Sequence, residues 1–312
     1  MTINSISSSN IISTIIFDVD DTLYDVSSGF TAHRNGEVIW NYMVEHYRFE
    51  NIHKAKAVRD KYFKIYHSTA KALTVAQAEG EFPPGAPKFD AKHMSQYWVD
   101  HLDYDKLWGT QQGGAHNYNS NSNSNMDDAK RSKQELRDSL ARCPAKLVAF
   151  SNGPRSYVIK VLDKLGLLDL FGSESSNNSD NANSSSNLNC NDGAFIWGVD
   201  DVLPHCKPEP EAFQKIFDKL SKSINDINNG NNNIKINPEE CIMVEDSMKN
   251  VRAAKALGMK TILITGSREE GRILPGDAPT ADDPAVDVAF ATIEEMTTRL
   301  PGLWKNPPVF EP

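Results

Sequence analysis

The stretch FDVDDTLYD, Phe17–Asp25, places four carboxylates in nine residues, directly behind the apolar run STIIF (13–17). Like charges repel, and a buried carboxylate is costly unless something compensates it. Such a cluster is either a solvated loop or a place where a cation sits and the acids do chemistry. STIIF itself is short, apolar and rich in β-branched residues, the pattern of a buried strand. Five further segments read the same way: KLVAF (146–150), FIWGV (195–199), CIMVE (241–245), TILIT (261–265) and VDVAF (286–290).

Helical signals fall between these strands. PRSYVIKVLDKLG (154–166) opens on Pro154 and stops at Gly166, with Val158, Val161, Leu162 and Leu165 on one face. EAFQKIFDKL (211–220) and SMKNVRAAKALG (247–258) repeat the pattern. Alternation of strand and helix predicts an α/β fold, a Rossmann-like parallel sheet with helices on both faces. Ligands then bind beyond the carboxyl ends of the strands. Residues 26–107 break the alternation and read as helices alone. This predicts an α-helical cap inserted after the first strand, a lid over the carboxyl edge. The expected organisation is a catalytic core of 1–25 and 108–312 with a cap of 26–107. Three Asn/Ser-rich stretches, 111–128, 173–193 and 222–237, are too polar to offset the entropy of ordering and read as disordered insertions.

The chain has 312 residues, 39% of them hydrophobic, with a formal net charge of −9. That argues against nucleic acid or an anionic membrane as a main partner, while leaving a local phosphate site open. Cys143, Cys190, Cys206 and Cys241 form no CxxC or Cys/His cluster, so neither a zinc site nor a disulfide framework is expected. MTINSISSSNIISTIIF carries no Lys or Arg and is too short to span a membrane, which fits a cytoplasmic protein.

Four predicted strand ends carry polar residues that could converge. Asp18 and Asp20 follow the first strand; in extended chain their side chains leave the same side. Two such acids share a cation well, or split roles as nucleophile and proton donor. Ser151, Asn152 and the N–H groups near Gly153 follow the second strand and could hold phosphate oxygens. Lys207, in CKPEPEAF, stands before a helix and adds a point positive charge. Glu245 and Asp246 end a later strand and could complete a magnesium shell, which favours a few carboxylates plus phosphate oxygens. Thr22 could cap its turn or touch substrate. The set suits a phosphoryl group beside Mg²⁺, with a carboxylate aimed at phosphorus. Asp21 and Asp25 suit turn geometry, Cys206 an ordinary half-buried thiol, and Trp40, Tyr42, Tyr62, Phe63 and Tyr66 helix packing rather than base stacking.

DVDDT, FSNG, CKPEP and VEDS resemble the four motifs of the haloacid dehalogenase-like hydrolases, in family order. The resemblance covers nearly the whole chain outside the insertions, and the helical segment is similar to the family's cap. It implies a Mg²⁺-dependent phosphomonoesterase: Asp18 as nucleophile, Asp20 as acid and base, Lys207 and Ser151 on the phosphoryl oxygens. FDVDDTLYDVSSG, CKPEPEAF and EDSMKNVRAAKALGMKTILI most resemble the pyrimidine 5′-nucleotidase branch, which implies a nucleoside monophosphate such as UMP or CMP as the small-molecule substrate. Two departures stand out: Glu245-Asp246 where that branch has Asp-Asp, and Ser151-Asn152 where it has Thr-Asn. The alternatives are a phosphatase or phosphomutase for sugar phosphates, a dehalogenase, for which Asp20 would be superfluous, and a phosphate-binding scaffold with a vestigial site.

Overall fold

The computed structural model describes residues 10–108, 122–171, 195–227, 235–266 and 277–312. Six strands form one parallel sheet: β1 (Thr14–Phe17), β2 (Lys146–Phe150), β3 (Ile196–Trp197), β4 (Cys241–Glu245), β5 (Lys260–Ile264) and β6 (Val288–Phe290). All six lie within or across the predicted apolar runs. Their spatial order is β3-β2-β1-β4-β5-β6. The chain runs outward from β1 to β3, then returns to β4 on the other side of β1. This reversal opens a crevice at the carboxyl ends of β1 and β4, the place where such sheets bind ligands.

Alternate residues of each central strand feed two cores. Ile15, Phe17, Leu147, Ala149, Ile242 and Val244 face one side; Ile16, Val148, Phe150, Cys241 and Met243 face the other. Both faces are covered, so these strands read as continuous apolar runs. Each fully buried Leu, Ile or Phe here contributes roughly 1.5–3 kcal/mol relative to exposure.

Among the described residues between β1 and β2 every regular element is helical: α1 (Phe30–His33), α2 (Ile39–Tyr47), α3 (Ile52–Tyr66), α4 (Thr69–Ala78) and α5 (Ala91–His101), with short 3₁₀ turns beside them, and then α6 (Ser122–Ala141). A wide π-type turn, Arg34–Val38, joins α1 to α2, with Gly36 off helical geometry. Asn51 caps α3 by accepting from Lys54 N–H at 3.0 Å, and Asp90 caps α5. The other α-helices among the described residues are α7 (Arg155–Lys164), α8 (Pro210–Ile227), α9 (Met248–Ala256) and α10 (Met296–Arg299).

Two of the polar stretches are shorter than their composition suggests. Residues 122–128 belong to α6 and 222–227 to α8. The expectation of disorder fails at these ends because packing elsewhere carries the helix. Leu136 and Leu140 bury the second half of α6, and Ile224 extends the buried row of Phe213, Phe217 and Leu220 along α8. Ile236, also inside the third stretch, is buried. The second stretch, 173–193, and the middles of the other two lie outside the described residues.

Candidate active site

β1 ends at Phe17, and the Asp18 N–H bonds the Val244 carbonyl of β4 at 2.9 Å, which pins Asp18 at the crevice. Lys207 is fully buried beneath it. Its ammonium donates to Asp18 Oδ1 at 2.6 Å, to the Phe150 carbonyl at 2.8 Å and to Glu245 Oε2 at 3.4 Å. Burial opposes the ammonium, but the Asp18 and Glu245 carboxylates outweigh it and hold Lys207 above the ordinary lysine value. Burial, together with Asp18, pushes Glu245 well above the usual carboxylate range. Glu245 also accepts from Asn250 Nδ2.

Oxygens of Asp18, Glu245 and Asp246 lie within 4.8 Å of one another. Three carboxylates share this spot with one buried ammonium, a donor set short of positive charge and all oxygen. That chemistry fits Mg²⁺. Asp20 is not brought into this group. The extended geometry expected to align it with Asp18 stops at Phe17, and the chain turns from Asp20, with Asp21 in the left-handed region at φ 58°. Its carboxylate instead accepts from Arg34 Nη1 (2.6 Å), Tyr157 Oη (2.5 Å), Tyr24 Oη (2.7 Å) and Ser151 Oγ (3.2 Å). Burial alone would raise the Asp20 carboxyl; the Arg34 guanidinium and these hydrogen bonds overcome it and hold it below the ordinary value.

Asp18, Asp20, Asn152, Gly153, Lys207, Glu245 and Asp246 all line a cavity of about 360 Å³, whose other wall comes from the helical insertion. Ser151 and Thr22 do not line it. The buried Ser151 hydroxyl is occupied by Asp20 and by the Gly153 N–H at 2.8 Å. The Thr22 hydroxyl is buried without a hydrogen-bond partner and borders a separate cavity with Lys133 and Glu294. Direct phosphate contact by these two hydroxyls is therefore not what the structure presents. Gly153 is required at its position: a Cβ there would lie 2.9 Å from the Tyr157 ring and 3.2 Å from Ser151 Oγ.

Asp25 serves the turn, accepting from Ser27 N–H at 2.7 Å. The Cys206 thiol is pushed up to about 12 by burial, an unreactive group. Residues the sequence did not single out complete the cavity, among them Arg34, Arg59, His67 and Trp98. His67 meets Lys249 Nζ at 2.7 Å; burial and that lysine lower its basicity. Tyr24, which holds Asp20 without lining this cavity, stands inside the opening acidic stretch.

The model of the haloacid dehalogenase-like hydrolase family matches residues 12–258, and the chain belongs to that family of hydrolases. None of the curated proteins matches it. Among solved structures it is similar to the L-2-haloacid dehalogenase from Xanthobacter autotrophicus with chloropropionic acid covalently bound, at 16% identity and a TM-score of 0.42, over 94% of this chain and 99% of that one. It is also similar to CbbY from Rhodobacter sphaeroides in complex with phosphate, at 15% identity and a TM-score of 0.41, over 92% and 96%. Among the described residues no helix is long and apolar enough to cross a membrane.

Proposed function

We propose that the protein is a Mg²⁺-dependent phosphomonoesterase acting through an aspartyl-phosphate on Asp18, with a pyrimidine nucleoside monophosphate as its substrate and residues 26–107 as the cap over the site. The observation that carries the reading is the Asp18 carboxylate at the mouth of the crevice, held at 2.6 Å by the buried Lys207 beside Glu245 and Asp246. A nucleophilic carboxylate next to a fixed cation suits attack on phosphorus better than proton abstraction.

Asp18, Glu245 and Asp246 would hold the metal. When bound, Mg²⁺ supplies positive charge against the nucleophile and the phosphoryl oxygens. Asp18 forms the new P–O bond as the ester P–O bond breaks. Lys207 keeps the nucleophile oriented, and the Asn152–Gly153 backbone forms the floor for phosphoryl oxygens. The departing alkoxide takes a proton from Asp20; Asp20 then accepts one from water as water opens the aspartyl-phosphate. In the arrangement here Asp20 is held as a carboxylate by Arg34, Tyr24 and Tyr157. Proton donation therefore requires Asp20 to leave Arg34, a residue of the cap, so cap position and acid catalysis are linked.

The test is phosphate release from a panel of phosphomonoesters, with Mg²⁺ and with EDTA. Release that needs Mg²⁺ and disappears in Asp18→Asn is expected. Full turnover in chelator, or in Asp18→Asn, overturns the reading.

A further inference from the structure

Asp277 is a buried carboxylate outside all four sequence motifs. It lies 30 residues beyond Ser247 in the chain and meets it in space. Ser247 Oγ donates to its Oδ1 at 2.8 Å and its Oδ2 at 2.9 Å, and the Lys249 N–H donates to Oδ1 at 3.0 Å. Ser247 is the N-cap residue of α9, yet its own side chain makes no capping bond. Asp277 supplies that bond from a distant part of the chain, placing an acceptor where a helix start leaves N–H groups without one.

The turn held in this way carries two of the three clustered carboxylates. β4 ends at Glu245, Asp246 follows, and only Ser247 separates Asp246 from the start of α9 at Met248. Within the first turn of α9, Asn250 Nδ2 donates to Glu245 Oε1. Asp277 therefore fixes the helix start, and the helix start aims both acids. Partners that orient a metal's ligands matter nearly as much to affinity as the ligands themselves.

The same carboxylate meets the helical insertion. His67 Nδ1 lies 3.8 Å from Asp277 Oδ2, and Lys249 Nζ lies 2.7 Å from His67 Nε2. Lys249 is thus held to Asp277 by its backbone and to His67 by its side chain. His67 ends α3 in the left-handed region, at φ 49°, which few residues other than glycine adopt. Its neighbours fasten the same corner to the core: Ser68 Oγ donates to the Asn152 carbonyl at 3.1 Å, and Cys206 Sγ to the Tyr66 carbonyl at 3.5 Å. His67, Ser247 and Asp277 all line the cavity around Asp18.

From this we infer that Asp277 is a positioning residue for the metal site: it fixes the Asp246–Ser247 turn, and His67 ties that turn to the helical insertion, so that metal affinity depends on how the insertion docks. Asp277 acts through Ser247 and Lys249, not as a ligand. The inference deepens the proposed function and rests on its metal assignment.

The experiment is titration calorimetry of the full chain with Mg²⁺ and no substrate, with the melting temperature in EDTA measured beside it. Loss of a group that directly orients a metal ligand costs about 10–100-fold in affinity; Asp277 stands one residue further out, so Asp277→Ala should raise the Mg²⁺ Kd by about three- to tenfold. Asp277→Asn removes the same charge but keeps an oxygen to accept from Ser247 and Lys249, and should bind Mg²⁺ nearly as the wild type does. Ser247→Ala cuts the link to the turn without changing any charge and should weaken binding like Asp277→Ala; it serves if Asp277→Ala does not fold. His67→Asn tolerates the left-handed backbone, ends short of Lys249 and should also raise the Kd. An Asp277 that only capped α9 would lower the melting temperature in EDTA and leave the Kd alone, so a wild-type Kd in Ser247→Ala or in folded Asp277→Ala overturns the inference. Equal weakening by Asp277→Asn and Asp277→Ala overturns it too, since charge rather than position would then be the cause. A wild-type Kd in His67→Asn overturns the tie to the insertion. A wild type that binds no Mg²⁺ brings down the metal assignment itself, whereas a wild type that binds it beside unaffected variants brings down this inference alone.

Discussion

Asn152 grips Lys207 by its backbone at both ends of one side chain. Asn152 Nδ2 donates to the Lys207 carbonyl at 2.9 Å, and Asn152 Oδ1 accepts from the Lys207 N–H at 2.9 Å. A residue two positions past β2 thereby fixes the residue that steers Asp18. Asn152→Ala leaves two backbone groups unsatisfied, each costing about 1–3 kcal/mol where water cannot reach. We expect a lower melting temperature and a fall in kcat of about tenfold or more, with Lys207 still present but loosely aimed. Wild-type kcat in a stably folded Asn152→Ala would show that Lys207 needs no such anchor.

The three clustered carboxylates should make stability depend on metal. A ligand that binds only the folded state stabilises it by about 2.7 kcal/mol at a concentration of 100 Kd. Mg²⁺ should therefore raise the melting temperature by several degrees, measured without any substrate. Asp246→Asn removes one oxygen donor of the Asp18–Glu245–Asp246 group and should shrink the shift. A melting temperature indifferent to Mg²⁺ in the wild type would contradict the metal assignment.

A structural ion pair sets an acid limit on the fold. Lys133, on α6, donates to the Leu23 carbonyl at 2.5 Å and to Glu294 Oε1 at 2.6 Å, so it ties α6 to the loop that carries Asp18 and Asp20. Burial works against the Glu294 carboxylate, but Lys133 prevails and holds Glu294 below its ordinary value. A lowered folded-state value means stability that is present above about pH 4.5 and lost as pH falls through the folded value. Denaturation measured from pH 6 to pH 3 should show this loss. Lys133→Met should be less stable at pH 6 and should lack that component. A parallel pH dependence in both proteins would show that the pair contributes nothing.

The six strands and the crevice were legible because parallel strands buried on both faces leave an unmistakable apolar signature, as in KLVAF and CIMVE. Asp18, Lys207, Glu245 and Asp246 were legible because each stands at a strand end or before a helix. The destination of Asp20 was not. Of its partners only Tyr24 is near it in the chain; Arg34 comes from the helical insertion and Ser151 and Tyr157 from beyond β2, and no local pattern joins these to Asp20. The wall supplied by the helical insertion was opaque for another reason: Arg59 and Trp98 sit on amphipathic helices, where a cavity-lining residue and a core residue share one period. α6 was hidden by the polar composition of its first turns.

The two acids should separate by leaving group. Asp18→Asn removes the nucleophile, so no phosphoenzyme should form with any ester. Asp20→Asn keeps the nucleophile and removes the proton donor. A nucleotide, whose alkoxide leaves poorly, should then lose about 10²–10⁴-fold, the usual worth of general acid catalysis. p-Nitrophenyl phosphate, whose leaving group needs little protonation, should lose less in phosphoenzyme formation. Hydrolysis of the intermediate also draws on Asp20, so labelled phosphate should persist on Asp18 in that variant. A complication is built into the fold: Asp20→Asn also unpairs the Arg34 guanidinium, buried between the Trp98 and Tyr157 rings at 5.2 and 4.7 Å. Arg34→Met serves as the control, because it breaks the same pair while leaving Asp20 able to carry a proton. Rapid-quench trapping with both substrates in all three variants gives the answer. If Asp20→Asn slows phosphoenzyme formation equally for both esters, and Arg34→Met does the same, the Asp20–Arg34 pair shapes the site and Asp20 is not the proton donor. If the nucleotide alone suffers in Asp20→Asn, proton transfer is its role.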